Sequence, residues 1–119
     1  MSESFLNWID ELFDAIEEKQ DVNGIREIVE AGGNVNVHIE EGCTPLIAAV
    51  LVGNLEIVKL LVELGADVNA VDGYFESPLY YAKYNNFSDI AEYLEPITSQ
   101  KIRAEVQRGM SGKFYPEKS

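Results

Sequence analysis

The chain has 119 residues, which fits one domain, and its charge is strongly negative. Asp and Glu number 21 against 9 Lys and Arg, a formal net charge of −12 at pH 7. Such a surface repels nucleic-acid backbones and anionic membranes, so neither is predicted as a partner. The longest apolar run, residues 46–52, is too short to span a membrane. No secretion signal is recognised at the N-terminus, which favours a cytoplasmic location.

The residues that catalysis and metal binding need are scarce. One cysteine and one histidine are too few for a Cys/His zinc cluster or an internal disulfide. Cys43 follows Glu40 and Glu41, and nearby carboxylates disfavour the thiolate that a nucleophile requires. His38 is interpreted as an exposed turn residue, and no phosphate-binding or calcium-binding loop is recognised. The sequence therefore predicts no enzyme activity, no cofactor and no bound metal ion.

A repeat of 33 residues runs along the chain. The segment 44–49 (TPLIAA) is echoed by segment 77–82 (SPLYYA). A degenerate copy lies one period earlier, around residues 13–29. A repeated unit of this length indicates a solenoid, in which copies stack because one copy cannot bury its own apolar face. Further pairs share the spacing: Val35-Asn36 with Val68-Asn69, Gly32 with Gly65, and Ile57 with Ile90.

Each copy is predicted to form two short helices. In the middle copy Thr44 is a natural N-cap, and Pro45 occupies the first helical position. Gly53-Asn54 breaks this helix, and apolar residues then recur at helical spacing over residues 55–62. Gly65 follows the second helix, where a left-handed conformation favours glycine.

The middle copy, residues 41–70, resembles an ankyrin repeat, and the resemblance covers residues 5–96 as repeats 5–36, 37–69 and 70–96. It implies an all-α solenoid of paired antiparallel helices joined by β-turn-like loops, with divergent terminal repeats acting as caps. Ile47 stands where the family usually carries histidine. Phe75 replaces the usual glycine before Ser77, which predicts a remodelled last turn. Pro96 and Thr98 replace the closing residues, so the last second helix is predicted to stop near residue 95.

Residues 97–119 are predicted to form a basic C-terminal extension, with five Lys and Arg against two Glu. Ile97, Ile102 and Val106 are spaced to face the last repeat from a short helix. A flexible tail is predicted to follow, resting on the acidic body. Within it, Phe114-Tyr115 either folds back or serves as a short docking motif.

The resemblance implies that the chain binds protein through its turn tips and the exposed face of its first helices. In this sequence the turn tips and the exposed face of the first helices combine acidic, apolar and aromatic residues. Tyrosine is common among the residues that anchor protein–protein contacts. Packing within the fold stays an alternative for the tyrosines and Leu51. The predicted contact residues are Glu40, Glu41 and Cys43 in the first turn, Leu51 and Val52 at the end of its helix, Val71, Tyr74 and Glu76 in the next turn, and Tyr80, Tyr84 and Asn85 in the next helix.

The implied function is a partner-binding adaptor or inhibitor, and the excess of acids favours a basic partner protein. One alternative is an immunity or antitoxin-like protein that neutralises a basic toxin or nuclease, since an acidic surface can mimic phosphate charge. Another is a self-assembling structural protein, in which the acidic body of one copy meets the basic extension of the next. A monomer is favoured over an oligomer.

Overall fold

The structure, a computed structural model, describes residues 2–110 and the side chains of residues 8–109. This part of the chain forms seven α-helices and contains no strand, in agreement with the predicted all-α class. The helices are α1 (Ser2–Glu17), α2 (Val22–Glu30), α3 (Pro45–Val52), α4 (Leu55–Glu63), α5 (Pro78–Tyr84), α6 (Ser88–Leu94) and α7 (Gln100–Met110). Short 3₁₀ turns lie at Glu40–Gly42 and Glu95–Ile97. The predicted tail, including Phe114-Tyr115, lies outside the described residues.

The helices are arranged as three antiparallel pairs that stack in chain order. Helices α1, α3 and α5 are the first helices of the three repeats, and each packs against its own second helix, α2, α4 or α6. The first helices also contact one another in succession, as do the second helices. This two-layer stack is the solenoid that the repeat predicts.

The start of the first helix is capped in the same way in the second and third repeats. Thr44 Oγ1 accepts a hydrogen bond from the N–H of Ile47 at 3.2 Å, and Ser77 Oγ accepts one from the N–H of Tyr80 at 3.1 Å. A proline follows each cap at the first helical position. These hydroxyls satisfy backbone donors that would otherwise lack a partner, which confirms the predicted N-cap.

The turn between first and second helix repeats its backbone geometry three times. Gln20, Gly53 and Asn86 are spaced by 33 residues, and their φ angles are 50°, 83° and 61°. Asn54 then caps α4 by accepting a hydrogen bond from the N–H of Ile57 at 3.2 Å. The Asn54 amide also donates to Gln20 Oε1 at 2.8 Å, which ties the first two repeats together.

Asparagines in the connecting segments fix the spacing of successive repeats. Asn36 Oδ1 accepts from the N–H of Asp67 at 2.8 Å, and its amide donates to the carbonyl of Gly65 at 3.1 Å. One period later, Asn69 Oδ1 accepts from the N–H of Ser99 at 2.8 Å. The device that links repeat to repeat therefore also links the third repeat to the segment that leads into α7.

The core is continuous through all three repeats. Ile47 is also fully buried, so an aliphatic side chain packs where the family usually carries histidine. Burial of each such side chain contributes roughly 1.5–3 kcal/mol of folding free energy. Besides Ile47, nine other Leu and Ile side chains are fully buried, three from each repeat: Leu12, Ile16 and Ile25; Leu46, Ile57 and Leu61; Leu79, Ile90 and Leu94.

Helix α6 ends at Leu94, as predicted, and a 3₁₀ turn containing Pro96 follows. Helix α7 then packs against α5, on the side where a further repeat would place its first helix. Val106 of α7 is buried and Ile102 is half-buried, in line with their predicted orientation. The prediction for Ile97 was wrong, because this residue lies in the 3₁₀ turn rather than in α7 and its side chain is exposed.

Candidate protein-binding surface

Two turns project between the helix pairs, and we call residues 39–43 the first tip and residues 72–76 the second tip. In the first tip the N–H of Ile39 donates to the carbonyl of Cys43, and the N–H of Gly42 donates to that of Ile39. The second tip makes the same two bonds one period later, from Asp72 to Glu76 and from Phe75 to Asp72. The two tips share this pair of bonds but not one backbone, because Glu41 has a positive φ that its counterpart Tyr74 lacks, and only the first tip forms a 3₁₀ turn. The last turn thus differs from the first, as expected, although the difference lies at Tyr74 rather than at Phe75.

The backbone at Phe75 has the left-handed conformation of the glycine at the matching position of the first tip. Its φ is 64°, close to the 77° of Gly42 at the matching position of the first tip. Left-handed φ values are unfavourable for a bulky residue, at a cost on the order of 1 kcal/mol or more. The Phe75 side chain is nevertheless 84% exposed, so no burial in the described fold offsets that cost.

The second tip is held in shape by the carboxylate of Asp72, which is only 8% exposed. Its Oδ1 accepts from the N–H groups of Tyr74 and Glu76 at 2.9 and 3.0 Å. Its Oδ2 accepts from the Tyr81 hydroxyl at 2.6 Å. Burial and then this hydrogen bond raise the pKa of Tyr81. The network joins the tip to α5 and fixes the direction in which the tip's side chains point.

The two tips also contact each other. The N–H of Gly73 donates to the carbonyl of Glu41 at 2.7 Å, and Glu41 itself has a φ of 60°. The hydroxyl of the exposed Tyr74 is hydrogen-bonded to the Glu41 carboxylate, and this bond and charge raise the pKa of Tyr74. Glu40 and Glu41 are both exposed. The predicted tip residues Glu40, Glu41 and Tyr74 are therefore brought together at one place.

A second group of exposed side chains lies at the ends of the first helices, and we call Glu18, Leu51 and Tyr84 the end row. They follow one another at 33-residue spacing, so stacking places them at equivalent positions of three repeats. Leu51 is 47% exposed and Tyr84 is 55% exposed. Val52 is half-buried beside Leu51, and the exposed Asn85 donates to the carbonyl of Tyr81 at 2.9 Å.

Tyr80 does not belong with these exposed residues, because it is 3% exposed. Its ring lies 5.6 Å from that of Tyr84 in a stacked arrangement and 5.3 Å from that of Tyr81, edge to face. Tyr80 therefore supports Tyr84 from beneath. Val71 and Glu76 are half-buried, so they offer a partner only part of their surface.

Cys43 is half-buried and packs against the core. Burial raises the pKa of its thiol to about 11, and the charges of Glu17 and Asp72 add to the effect. The expected direction is confirmed, although the carboxylates responsible are not Glu40 and Glu41. A thiol with this pKa is protonated at neutral pH, so it is a poor nucleophile.

His38 is exposed in its turn, with Nδ1 3.1 Å from the carbonyl oxygen of Gly42. Among the described residues, no three His, Cys, Asp or Glu side chains cluster in a way that would hold a metal ion. Within the same part of the chain, no helix combines the length and apolar character needed to cross a membrane.

The repeat, the capped helix pairs and the projecting tips define a class of protein, and comparison with known families agrees with it. The family model for ankyrin repeats, in three copies, matches residues 12–104. The chain belongs to the ankyrin-repeat family. Members of this family are generally protein–protein interaction modules and are typically not enzymes.

Particular relatives are similar to this chain over the repeats. The Notch-regulated ankyrin repeat-containing protein of Xenopus tropicalis is 46% identical over 61 residues, which is 51% of this chain and 54% of that protein. The human protein of the same name is 44% identical over 71 residues, 60% of each chain. The chain thus spans about half the length of these curated relatives. Potassium channel AKT1 of Oryza sativa subsp. indica is 36% identical over 73 residues, but these make up only 8% of the channel.

Proposed function

We propose that this chain is a non-catalytic adaptor or inhibitor, working in the cytoplasm, that binds a partner protein across its tips and end row. The observation that carries the proposal is the pairing of Leu51 with Tyr84, two large apolar side chains about half exposed at equivalent positions of adjacent repeats. A single exposed leucine needs no explanation, whereas large side chains exposed at equivalent positions of adjacent repeats place apolar area on the same face of the stack. Tyrosine and leucine in such a patch can bury much area against a partner.

Charge around the patch supports a basic partner. Glu18 continues the end row into the first repeat, and Glu40 and Glu41 are exposed on the first tip. Acidic groups at the rim of an apolar patch steer a cationic protein toward it and raise the association rate. A surface of roughly 800 Å² per partner, which three repeats can offer, is enough for a specific complex.

The experiment is a pull-down with the tagged chain from its native lysate, washed at low and at high salt and read by mass spectrometry. We expect one stoichiometric basic protein that is released at high salt, because rim charges are screened. A matched bait carrying Leu51→Ser and Tyr84→Ser should not retain that protein. A control bait with Glu56→Ser and Glu92→Ser, two exposed residues of the second helices, should retain it. Equal retention by all three baits would contradict the proposal.

The immunity or antitoxin-like role is a sharper form of the same proposal. The acidic first tip, with Glu40 and Glu41 side by side, supports it because such a surface matches a basic nuclease site. A nuclease or toxin as the retained protein, inhibited by the added chain, would favour this role.

Self-assembly is the second candidate, and the described cations of α7 favour it. Lys101, Arg103 and Arg108 follow the acidic repeats, so the end of one copy complements the body of another. Light scattering that shows an oligomer at low salt and a monomer at high salt would support it. A monomer at both would exclude it.

A further inference from the structure

A cavity of about 510 Å³ lies beyond the third repeat, between the second tip and α7. Val71, Tyr74 and Phe75 form the wall on the side of the tip, and Ile102 and Val106 form the wall on the side of α7. Cavities that hold small ligands or anchoring side chains have volumes of about 300–1,000 Å³ and mostly apolar linings. Tyr80, which stacks on Tyr84 of the end row, also lines this cavity, so the cavity adjoins the end row.

Phe75 is the unusual member of this lining. Its ring is 84% exposed, and its backbone has the left-handed φ of 64° that glycine has in the first tip. This position does not require an aromatic residue, because Gly42 at the matching position of the first tip makes the equivalent backbone hydrogen bond with a left-handed φ. The strained backbone lowers stability, and a ring that stays exposed to water contributes no burial energy to offset it, so folding alone does not explain this residue.

The charged groups around the cavity indicate what would complement it. Glu76 and Glu105 line it together with Arg108. Glu41 lies next to it, since its carboxylate is hydrogen-bonded to Tyr74. Negative charge therefore exceeds positive charge around an apolar cavity. A ligand that matches both features carries a large apolar group with a cation beside it.

We propose that this cavity is a docking site for a short peptide segment of another protein, in which an aromatic or large aliphatic side chain stands next to Lys or Arg. The apolar side chain packs between Phe75 and Val106, and the cation lies near Glu105. The cavity recognises the peptide through one apolar side chain of the peptide, which is buried in the cavity and supplies most of the affinity. The site gives the chain a second contact, beside the end row.

The test is a titration of the ¹⁵N-labelled full chain, followed by NMR, with a pentapeptide that has one phenylalanine between two lysines. We expect the amide signals of Val71, Ile102 and Val106 to shift, with a Kd below 1 mM. Two control peptides isolate the two features of the proposal: one replaces both lysines by glutamates, and the other replaces the phenylalanine by alanine. Each should bind at least fivefold more weakly. Shifts of equal size with all three peptides would overturn the proposal.

The variant Phe75→Gly separates binding from folding. Glycine is suited to the left-handed φ, so the unfolding midpoint should stay the same or rise, while the affinity for the lysine-flanked peptide falls at least fivefold. Leu51→Ser is the matched control on the end row and should leave peptide affinity unchanged. Unchanged affinity in Phe75→Gly would overturn the proposal, without bearing on the end row, which the pull-down tests.

NMR also distinguishes two other occupants of the cavity, namely residues of this same chain and a second copy of the chain. If Phe114→Ser with Tyr115→Ser shifts the same amide signals in the absence of peptide, the cavity is filled by this chain's own residues, and the proposal is overturned. If the signals move with protein concentration and sedimentation shows a dimer, a second copy occupies the cavity, which overturns it as well.

Discussion

The first and second tips share two backbone hydrogen bonds, but they differ in local backbone at Glu41 and Tyr74 and in chemistry. Both turns make the same pair of backbone hydrogen bonds, and both place a left-handed residue at the same position, Gly42 in one and Phe75 in the other. The first tip is acidic, whereas the second carries the exposed rings of Tyr74 and Phe75. Capping and hydrogen bonding thus fix the shape of a tip, and its outward side chains remain free to suit a partner.

The tips also differ in how they are held. Removal of the Asp72 carboxylate, which holds the second tip, should lower the free energy of unfolding more than a substitution in the first tip. In Asp72→Ala the N–H groups of Tyr74 and Glu76 and the hydroxyl of Tyr81 lose their acceptor. We expect the free energy of unfolding to fall by about 3 kcal/mol, measured by urea denaturation. Asp67→Ala is the control, since that carboxylate accepts one bond, from the N–H of Asn69 at 2.9 Å, and its loss should cost about 1 kcal/mol. Equal losses would show that the Asp72 network does not stabilise the tip.

The support of the first tip is the close approach of its backbone to the second, and Gly42→Ala tests it. A Cβ at Gly42 would lie 2.6 Å from the backbone nitrogen of Gly73, and φ is 77°. Because backbone must move to make room, we expect a loss of about 2 kcal/mol in unfolding free energy. A loss no greater than that of an unhindered left-handed glycine would contradict the contact between tips.

Gly65 provides that unhindered reference. Its φ of 106° confirms the predicted left-handed conformation, and nothing lies within 4 Å of the position that a Cβ would take. Gly65→Ala should therefore lower the free energy of unfolding by about 1 kcal/mol through backbone strain alone. A negligible change in the denaturation midpoint would show that the strain at this position is unimportant.

The thiol of Cys43, in the first tip, makes the stability of the chain depend on pH. Folding raises the pKa of this thiol from 9.0 to about 11, so between these values the native chain holds a proton that the unfolded chain has lost. The resulting stability is present below pH 9 and is lost as the pH rises toward 11. Since the thiol is half exposed, we expect a difference below about 1 kcal/mol. The free energy of unfolding should fall more steeply with rising pH in the native sequence than in Cys43→Ser. Parallel curves of unfolding free energy against pH would contradict this prediction.

The repeat made most of the fold predictable. Thr44, Pro45 and Gly65 each have a local physical role that can be recognised from neighbouring residues, and the period of 33 carries those roles to the other copies. The end row was predictable for the same reason, because Leu51 and Tyr84 occupy equivalent positions. Where local capping and the period agree, sequence and structure agree.

What the sequence did not reveal depends on contacts outside the repeat. Asp72 accepts two bonds from N–H groups of its own turn, for which an aspartate beginning a turn was the available signal. Its third bond, from the Tyr81 hydroxyl nine residues later, had no such signal in the sequence. Tyr80 is a different case, because it lies 33 residues after the buried Ile47 and is buried as well. The period therefore pointed to the core, whereas the aromatic side chain suggested a contact residue. Phe75 was expected to alter its turn, but it keeps the left-handed φ of Gly42, and the turn differs instead at Tyr74, whose counterpart Glu41 has a φ of 60°.

The exposed tyrosines Tyr74 and Tyr84 are proposed to serve another protein rather than this fold. The most direct test is the affinity of Tyr74→Ala with Tyr84→Ala for the partner recovered in the pull-down, measured by titration calorimetry alongside the thermal midpoint. We predict binding weakened by more than tenfold with a nearly unchanged midpoint, whereas Glu56→Ala with Glu92→Ala should change neither. Unaltered affinity together with a large drop in the midpoint would show that these tyrosines belong to the folded core, and the claim would fail.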